Sequence, residues 1–154
     1  MLAVRPAAPQ DIPAILTIQE RVFGEIPWQE DDFRRILGAP GQMVLVAESS
    51  EILGFVALRV IADEAEILNL AVKPNSQRRG VGRAMIRDAC HRLERAGVRE
   101  IFLEVRPSNE PALGLYYSHG FTLRSVRKDY YSKPREDAYV LSRVLVHPQH
   151  PSKP

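Results

Sequence analysis

A single cysteine, Cys90, stands in the 154 residues, so no internal disulfide framework exists. Aromatic residues are sparse, at 7%. The longest unbroken apolar run is the five residues Met43–Ala47, whereas a membrane-spanning helix needs about 20. The opening Met1-Leu-Ala-Val-Arg5 has no basic stretch ahead of an apolar one, which is not the shape of a signal peptide. Neither sign of charge dominates: the net charge is +2. That surplus does not argue for nucleic acid. A cytoplasmic protein with no membrane and no nucleic-acid partner is expected.

What is present is an ordinary globular composition. Hydrophobic residues make up 45% and charged residues 26%, too apolar for intrinsic disorder. The length suits one domain. The end of the chain, His147-Pro-Gln-His-Pro-Ser-Lys-Pro154, holds three prolines and no apolar residue. It reads as a disordered tail at 147–154 behind a domain at 1–146. His147 and His150 have no third ligand nearby, so no metal site is expected.

Periodicity then orders the chain. Leu2–Arg5 reads as a strand. Asp11 precedes a helical stripe at Ile12, Ile15, Leu16, Gln19 and Phe23, with Pro13 tolerated in the first turn. Gln29–Leu37 is a second helix, stopped by Gly38-Ala-Pro-Gly41. Met43–Glu48 and Ile52–Val60 flank a short polar turn and read as a hairpin, and Glu64–Val72 is a third strand. Val81 to Ala96 form a long helix ended by Gly97. Glu100–Val105 is a strand. Ser108 or Asn109 caps another helix, with Pro111 in its first turn. Phe121–Arg127 and Ala138–Val146 are the last strands. Seven strands and four helices in this order predict a mixed α/β (α+β) domain, with helices packed on a central sheet.

The most informative segment is Leu70-Ala-Val-Lys-Pro-Asn-Ser-Gln-Arg-Arg-Gly-Val-Gly-Arg83. A strand runs into a loop that opens a long helix. A helix start offers unpaired N–H groups and the positive end of the macrodipole. Gly80 and Gly82 let the backbone approach a ligand, and Arg78, Arg79 and Arg83 add positive charge. The combination suits a phosphate or pyrophosphate. It lacks the Gly-Lys-[Ser/Thr] of a P-loop and the third glycine of a dinucleotide fingerprint.

Two further residues carry chemistry. Alternation in Ile101–Arg106 puts Ile101, Leu103 and Val105 on one face and Phe102, Glu104 and Arg106 on the other. Glu104 therefore fits either a strand-end ion pair with Arg106 or a proton acceptor. Tyr116 follows Ala112 and Leu113 on its helix and fits either the core or a site. Cys90 falls opposite its helix's apolar stripe, with no activating histidine pattern.

The Gln77-Arg78-Arg79-Gly80-Val81-Gly82 run resembles the acetyl-CoA pyrophosphate loop of the GNAT superfamily of N-acetyltransferases, and the element order matches that fold. Glu64–Val72, Leu103–Asn109, Leu115-Tyr116, Gly120-Phe121, Tyr130-Tyr131 and Arg135–Ala138 look like the RimI-type family, which acetylates the N-terminal alanine of a ribosomal protein. The resemblance covers roughly Pro27 to Leu145. It implies a GNAT fold and acetyl-CoA as co-substrate. It implies Glu104 as general base and Tyr116 as the acid that protonates the coenzyme A thiolate. Backbone groups at Leu70, Ala71 and Val72 would pair with the pantetheine arm. Arg78, Arg79, Gly80, Val81, Gly82, Arg83 and Asn109 would bind the cofactor. Trp28 and a loop with Tyr130, Tyr131, Glu136 and Asp137 would line the acceptor site, where the acidic side chains could attract a basic N-terminal peptide. A sibling enzyme acting on a small-molecule amine or a lysine side chain, or a non-catalytic coenzyme A-binding module, are the alternatives.

Overall fold

A computed structural model describes residues 1–24 and 27–145. The expected tail, with His147 and His150, lies outside the described residues, as does Ile26. Among the described residues seven strands form a mixed sheet accompanied by four helices, as expected. The chain divides into two compact units. One comprises Met1–Arg59 with Ile67–Ala89; the other comprises Val60–Glu66 with the chain from Cys90 onward.

The first unit begins with β1 (Ala3–Pro6), α1 (Ile12–Phe23) and α2 (Glu30–Leu37). It continues with β2 (Gln42–Glu48), β3 (Ile52–Ile61) and β4 (Glu64–Val72), and with the start of α3 (Val81–Arg95). The sheet order here is β1-β2-β3-β4. Pro6 is tolerated because β1 is an edge strand, where a missing N–H breaks no ladder. Ile12 and Ile15 of the expected stripe, joined by Ile18, which the stripe omitted, pack with Phe33, Val44, Val46, Phe55, Ala57 and Ala71, whereas Phe23 at the helix end is exposed. Phe33 meets Phe55 edge-on at 5.9 Å, and Trp28 meets Phe33 at 5.3 Å. Arg5 fixes the corner of this unit with two bidentate pairs. It donates to Asp11 at 2.8 and 3.0 Å and to Glu48 at 3.2 and 3.1 Å. Asp11 also accepts from the Ala8 N–H at 2.7 Å. The Arg5 guanidinium holds the Asp11 carboxyl below its usual range against the opposing cost of burial.

The second unit holds β5 (Glu100–Val105), α4 (Glu110–Ser118), β6 (Thr122–Ser132) and β7 (Arg135–Val144). Its sheet order is β5-β7-β6, antiparallel throughout. Ile101, Leu103 and Val105 are buried, as alternation required, together with Phe121, Ala138 and Leu141.

Two expectations are corrected. The last strands were expected to end at Arg127 and restart at Ala138, leaving Tyr130, Tyr131, Glu136 and Asp137 in or beside a long loop. Instead β6 runs to Ser132 and β7 starts at Arg135, so all four residues lie in strands, with Tyr131 opposite Glu136. A bulge between Arg127 and Tyr131 absorbs the surplus residues, and Asp129 takes a left-handed φ of 52° there. Arg135 pins the bulge with two 3.0 Å hydrogen bonds to Asp129. Nearly every residue of β6 is exposed, so it shows no alternation for a sequence to reveal. Cys90 is the second correction. It is buried, because α3 covers a broad face that includes Met85, Ile86, Ala89, Cys90 and Leu93. Burial pushes its thiol pKa up, the opposite of a reactive thiolate.

Candidate active site

The loop expected to bind the donor lies in the first unit. β4 ends at Val72, and a short 3-10 turn at Pro74–Ser76 leads into Gln77–Gly80. Gln77 returns its side-chain amide to the Val72 carbonyl at 3.1 Å, tying the loop to the strand end. Arg78 and Gly80 adopt positive φ, 63° and 83°. At Gly80 that conformation is what demands glycine, because a Cβ there would meet nothing within 4 Å. The space beside the backbone is therefore open to a ligand. The first helical hydrogen bond of α3 runs from the Ala84 N–H to the Gly80 carbonyl at 3.0 Å. The N–H groups of Val81, Gly82 and Arg83 precede it and find no backbone carbonyl among the described residues. Arg78, Arg79 and Arg83 are exposed and form no ion pair among the described residues. Free amides, a dipole end and three unpaired guanidiniums fit a diphosphate.

One residue behind this cradle escaped the sequence reading. Gly54 in β3 is buried, and a Cβ on it would fall 2.9 Å from the Ala71 carbonyl oxygen, 3.0 Å from Met85 Cε and 3.3 Å from Val81 Cγ1. Gly54 thus lets β3, β4 and the start of α3 close together. An isolated glycine inside a strand pattern was the available signal. Asn69 donates to Gln19 at 3.1 Å, and Gln19 donates to the Trp28 carbonyl at 2.9 Å. This chain of amides ties β4 to α1 and to the segment carrying Trp28, whose ring is half-buried.

The second unit carries the proposed proton-transfer residues. Glu104 is half-buried on β5, opposite Val140 of β7. Its carboxylate does not pair with Arg106. Arg127 of β6 takes that place at 3.4 Å. Tyr130 hydrogen-bonds the same carboxylate, which raises the phenol's pKa. Tyr131 is raised first by burial and then by the Glu104 charge, against the lowering influence of Arg106. Tyr130 and Tyr131 stand edge-on at 5.0 Å. The structure thus brings Glu104, Tyr130 and Tyr131 together.

Tyr116 is almost fully enclosed on α4, 6% exposed, with Phe121 edge-on at 5.5 Å. Burial alone drives its pKa far up, so it stays a neutral phenol across the physiological range. Its hydroxyl meets no hydrogen-bond partner among the described residues. A buried hydroxyl without a protein partner is available to hydrogen-bond a ligand atom or a water. The neighbouring Tyr117 is exposed, as helical geometry dictates. Asn109 is the N-cap of α4, and its side chain accepts from the Ala112 N–H at 3.3 Å. Glu136 and Asp137 are engaged within the chain. Glu136 binds Ser108 and Arg106, while Asp137 accepts from the Asp129 N–H at 2.8 Å and faces Lys128 at 3.6 Å.

The sequence profile of the Acetyltransferase (GNAT) family matches residues 12–121. The chain belongs to this family. The ribosomal protein bS18-alanine N-acetyltransferase of Escherichia coli strain K12 is 36% identical over 134 residues, covering 86% of this chain and 90% of that protein. A putative bS18-alanine N-acetyltransferase of Bacillus subtilis strain 168 is 33% identical over 141 residues, 90% of this chain and 93% of that one. The crystal structure of the ribosomal-protein-S18-alanine N-acetyltransferase from Escherichia coli superimposes with a TM-score of 0.88 at 30% identity, covering 100% of this chain and 99% of that chain. The chain is thus similar to proteins named as ribosomal-protein alanine N-acetyltransferases. The GNAT donor is acetyl-CoA, and the open, cationic loop at Gln77–Arg83 suits its diphosphate. No helix of the described residues is long and apolar enough to cross a membrane.

Proposed function

We propose that this GNAT enzyme transfers acetyl from acetyl-CoA to the α-amine of a protein N-terminus, the alanine of a small-subunit ribosomal protein. The observation that carries the reading is the 36% identity, over 86% of the chain, to a protein named for that activity. The family match runs through both compact units, which supports treating residues 1–146 as a single catalytic domain. The acceptor is a ribosomal protein, so the cytoplasm is the compartment in which the enzyme works.

The chemistry follows from the residues. An α-amine has a pKa of about 7.7–8.0, so roughly a tenth to a fifth is neutral at pH 7. A lysine amine, at about 10.4, is neutral in less than roughly one part in a thousand. A carboxylate is a weak base, and it serves the first far more readily. In this reading the loop amides from Gly80 to Arg83 and the three arginines hold the diphosphate. Leu70, Ala71 and Val72 offer backbone groups to the pantetheine arm, and the Val72 N–H binds the thioester oxygen. Asn109 contributes to the cofactor site. The amine nitrogen attacks the thioester carbon as its proton passes to Glu104. The C–N bond forms, the C–S bond breaks, and the sulfur takes its proton from the Tyr116 hydroxyl. The Tyr116 hydroxyl keeps its proton and has no partner among the described residues, so it is free to donate; its raised pKa makes it a weak acid, and the transfer depends on the thiolate developing beside it. Trp28, Tyr130 and Tyr131 line the acceptor side.

The test is a mass-spectrometric comparison of protein N-termini in cells with and without the gene. Loss of acetylation from one alanine-starting ribosomal protein is expected. Unchanged N-termini together with loss of a lysine or small-molecule acetylation would replace this acceptor with the sibling activity.

A further inference from the structure

Glu136 was expected to attract a basic acceptor, and its surroundings give it different work. One of its oxygens accepts from the Ser108 N–H at 2.7 Å. The other accepts from the Ser108 hydroxyl at 2.8 Å and from Arg106 at 3.3 Å. These bonds hold its carboxyl below the usual range against desolvation. Arg106, the residue after β5, reaches further. It donates to the Pro134 carbonyl at 2.8 Å and the Lys133 carbonyl at 3.1 Å, and its guanidinium lies 4.1 Å from the centre of the Tyr131 ring. Tyr131 stands opposite Glu136 in the ladder and packs edge-on against Tyr130, whose hydroxyl meets Glu104. On the other side, Ser108 precedes Asn109, the cap of the helix that carries Tyr116.

We propose that Arg106 and Glu136 form a brace of positioning residues, which fastens the β5–α4 loop to the β6–β7 hairpin and so fixes Tyr131, Tyr130 and Glu104 against the acceptor. Neither residue touches the acceptor's charge. Arginine is required because only its planar fork can serve two carbonyls and a carboxylate while stacking on a ring. The brace deepens the proposed function and rests on its assignment of Glu104 and the two tyrosines to the acceptor side.

The test compares two alanine-starting peptides, one with basic residues after the alanine and one with neutral residues. The enzymes are the wild type, Glu136→Gln, Arg106→Gln, Arg106→Lys and the Glu136→Gln/Arg106→Gln double variant. Each single variant is expected to lower kcat/KM by about tenfold or more through misplacement of the reacting groups. The loss is equal on both peptides and exceeds any change in acetyl-CoA Kd, since of the proposed donor contacts only Asn109 lies in the loosened loop. Arg106→Lys does not rescue, and the double variant is no worse than either single one, because both substitutions break one device. A loss confined to the basic peptide would make Glu136 a direct contact and overturn the brace, as would unchanged kcat/KM. Hydrogen exchange supplies a readout that needs no acceptor. Glu136→Gln should expose the amides of 106, 108–110 and 130–133 while β5 stays protected. Should the wild type acetylate neither peptide, the acceptor reading falls, and the exchange result alone upholds or overturns the brace.

Discussion

Gly54→Ala is the sharpest perturbation of the donor half. The added methyl carbon would sit 2.9 Å from the Ala71 carbonyl oxygen, closer than such contacts allow, and that oxygen belongs to backbone. Met85 Cε, at 3.0 Å, is the end of a flexible side chain and can swing aside. Val81 Cγ1, at 3.3 Å, has less freedom because Val81 opens α3. Relief therefore falls on Ala71 and on the start of α3, the two segments read as donor-binding. Overpacking of a buried site costs about 1–3 kcal/mol. At this chain length each kcal/mol lowers Tm by about 2–4 °C, so a fall of about 2–12 °C is expected. If the displacement costs acetyl-CoA binding about 1.4 kcal/mol, Kd rises about tenfold. Differential scanning calorimetry and isothermal titration with acetyl-CoA read both quantities. Gly38→Ala is the control, since a Cβ at Gly38 meets nothing within 4 Å. An unchanged Tm and Kd in Gly54→Ala would refute the claim that this glycine sets the geometry of the donor strand.

Three other outcomes are expected. Tyr116→Phe should lower kcat by about a hundredfold or more while acetyl-CoA Kd stays unchanged, as loss of a general acid does; stopped-flow turnover with separate binding measurements checks it. Gly80→Ala should weaken acetyl-CoA binding with a modest stability loss of about 1–2 kcal/mol, because the side chain is forced into the left-handed region at φ 83°; titration and thermal melts distinguish the two effects. Asp11 has a folded pKa depressed below its unfolded value. Its stabilisation is therefore full above the unfolded pKa and disappears as pH falls through the folded one. Denaturant melts across that acidic range should show a smaller decline for Asp11→Asn than for the wild type.

The fold was legible where periodicity was strong. Ile12 and Ile15 of α1, the alternation of β5 and the run at Glu64–Val72 emerged as read, because each buries one face against a core. The glycine loop that opens α3 was legible for a local reason: the positive φ at Gly80 and the start of α3 are consecutive in the chain. What the sequence did not reveal is contact across strands. Glu104 was weighed with its neighbour Arg106, yet its partner Arg127 comes from β6 through a bulge. Glu136 looked like a free charge because Ser108 and Arg106 lie far from it in sequence. Gly54 looked ordinary because the atoms that crowd it belong to β4 and α3.

The central claim concerns which amine is acetylated, and a direct transfer assay tests it. The purified enzyme is given acetyl-CoA and two peptides, one with a free N-terminal alanine and one with a blocked N-terminus and a free lysine. Fragment-ion mass spectrometry should find one acetyl group on the alanine nitrogen and none on the lysine, with the signal abolished in Glu104→Gln. Acetyl on the lysine alone, or equal transfer by Glu104→Gln, would contradict the account.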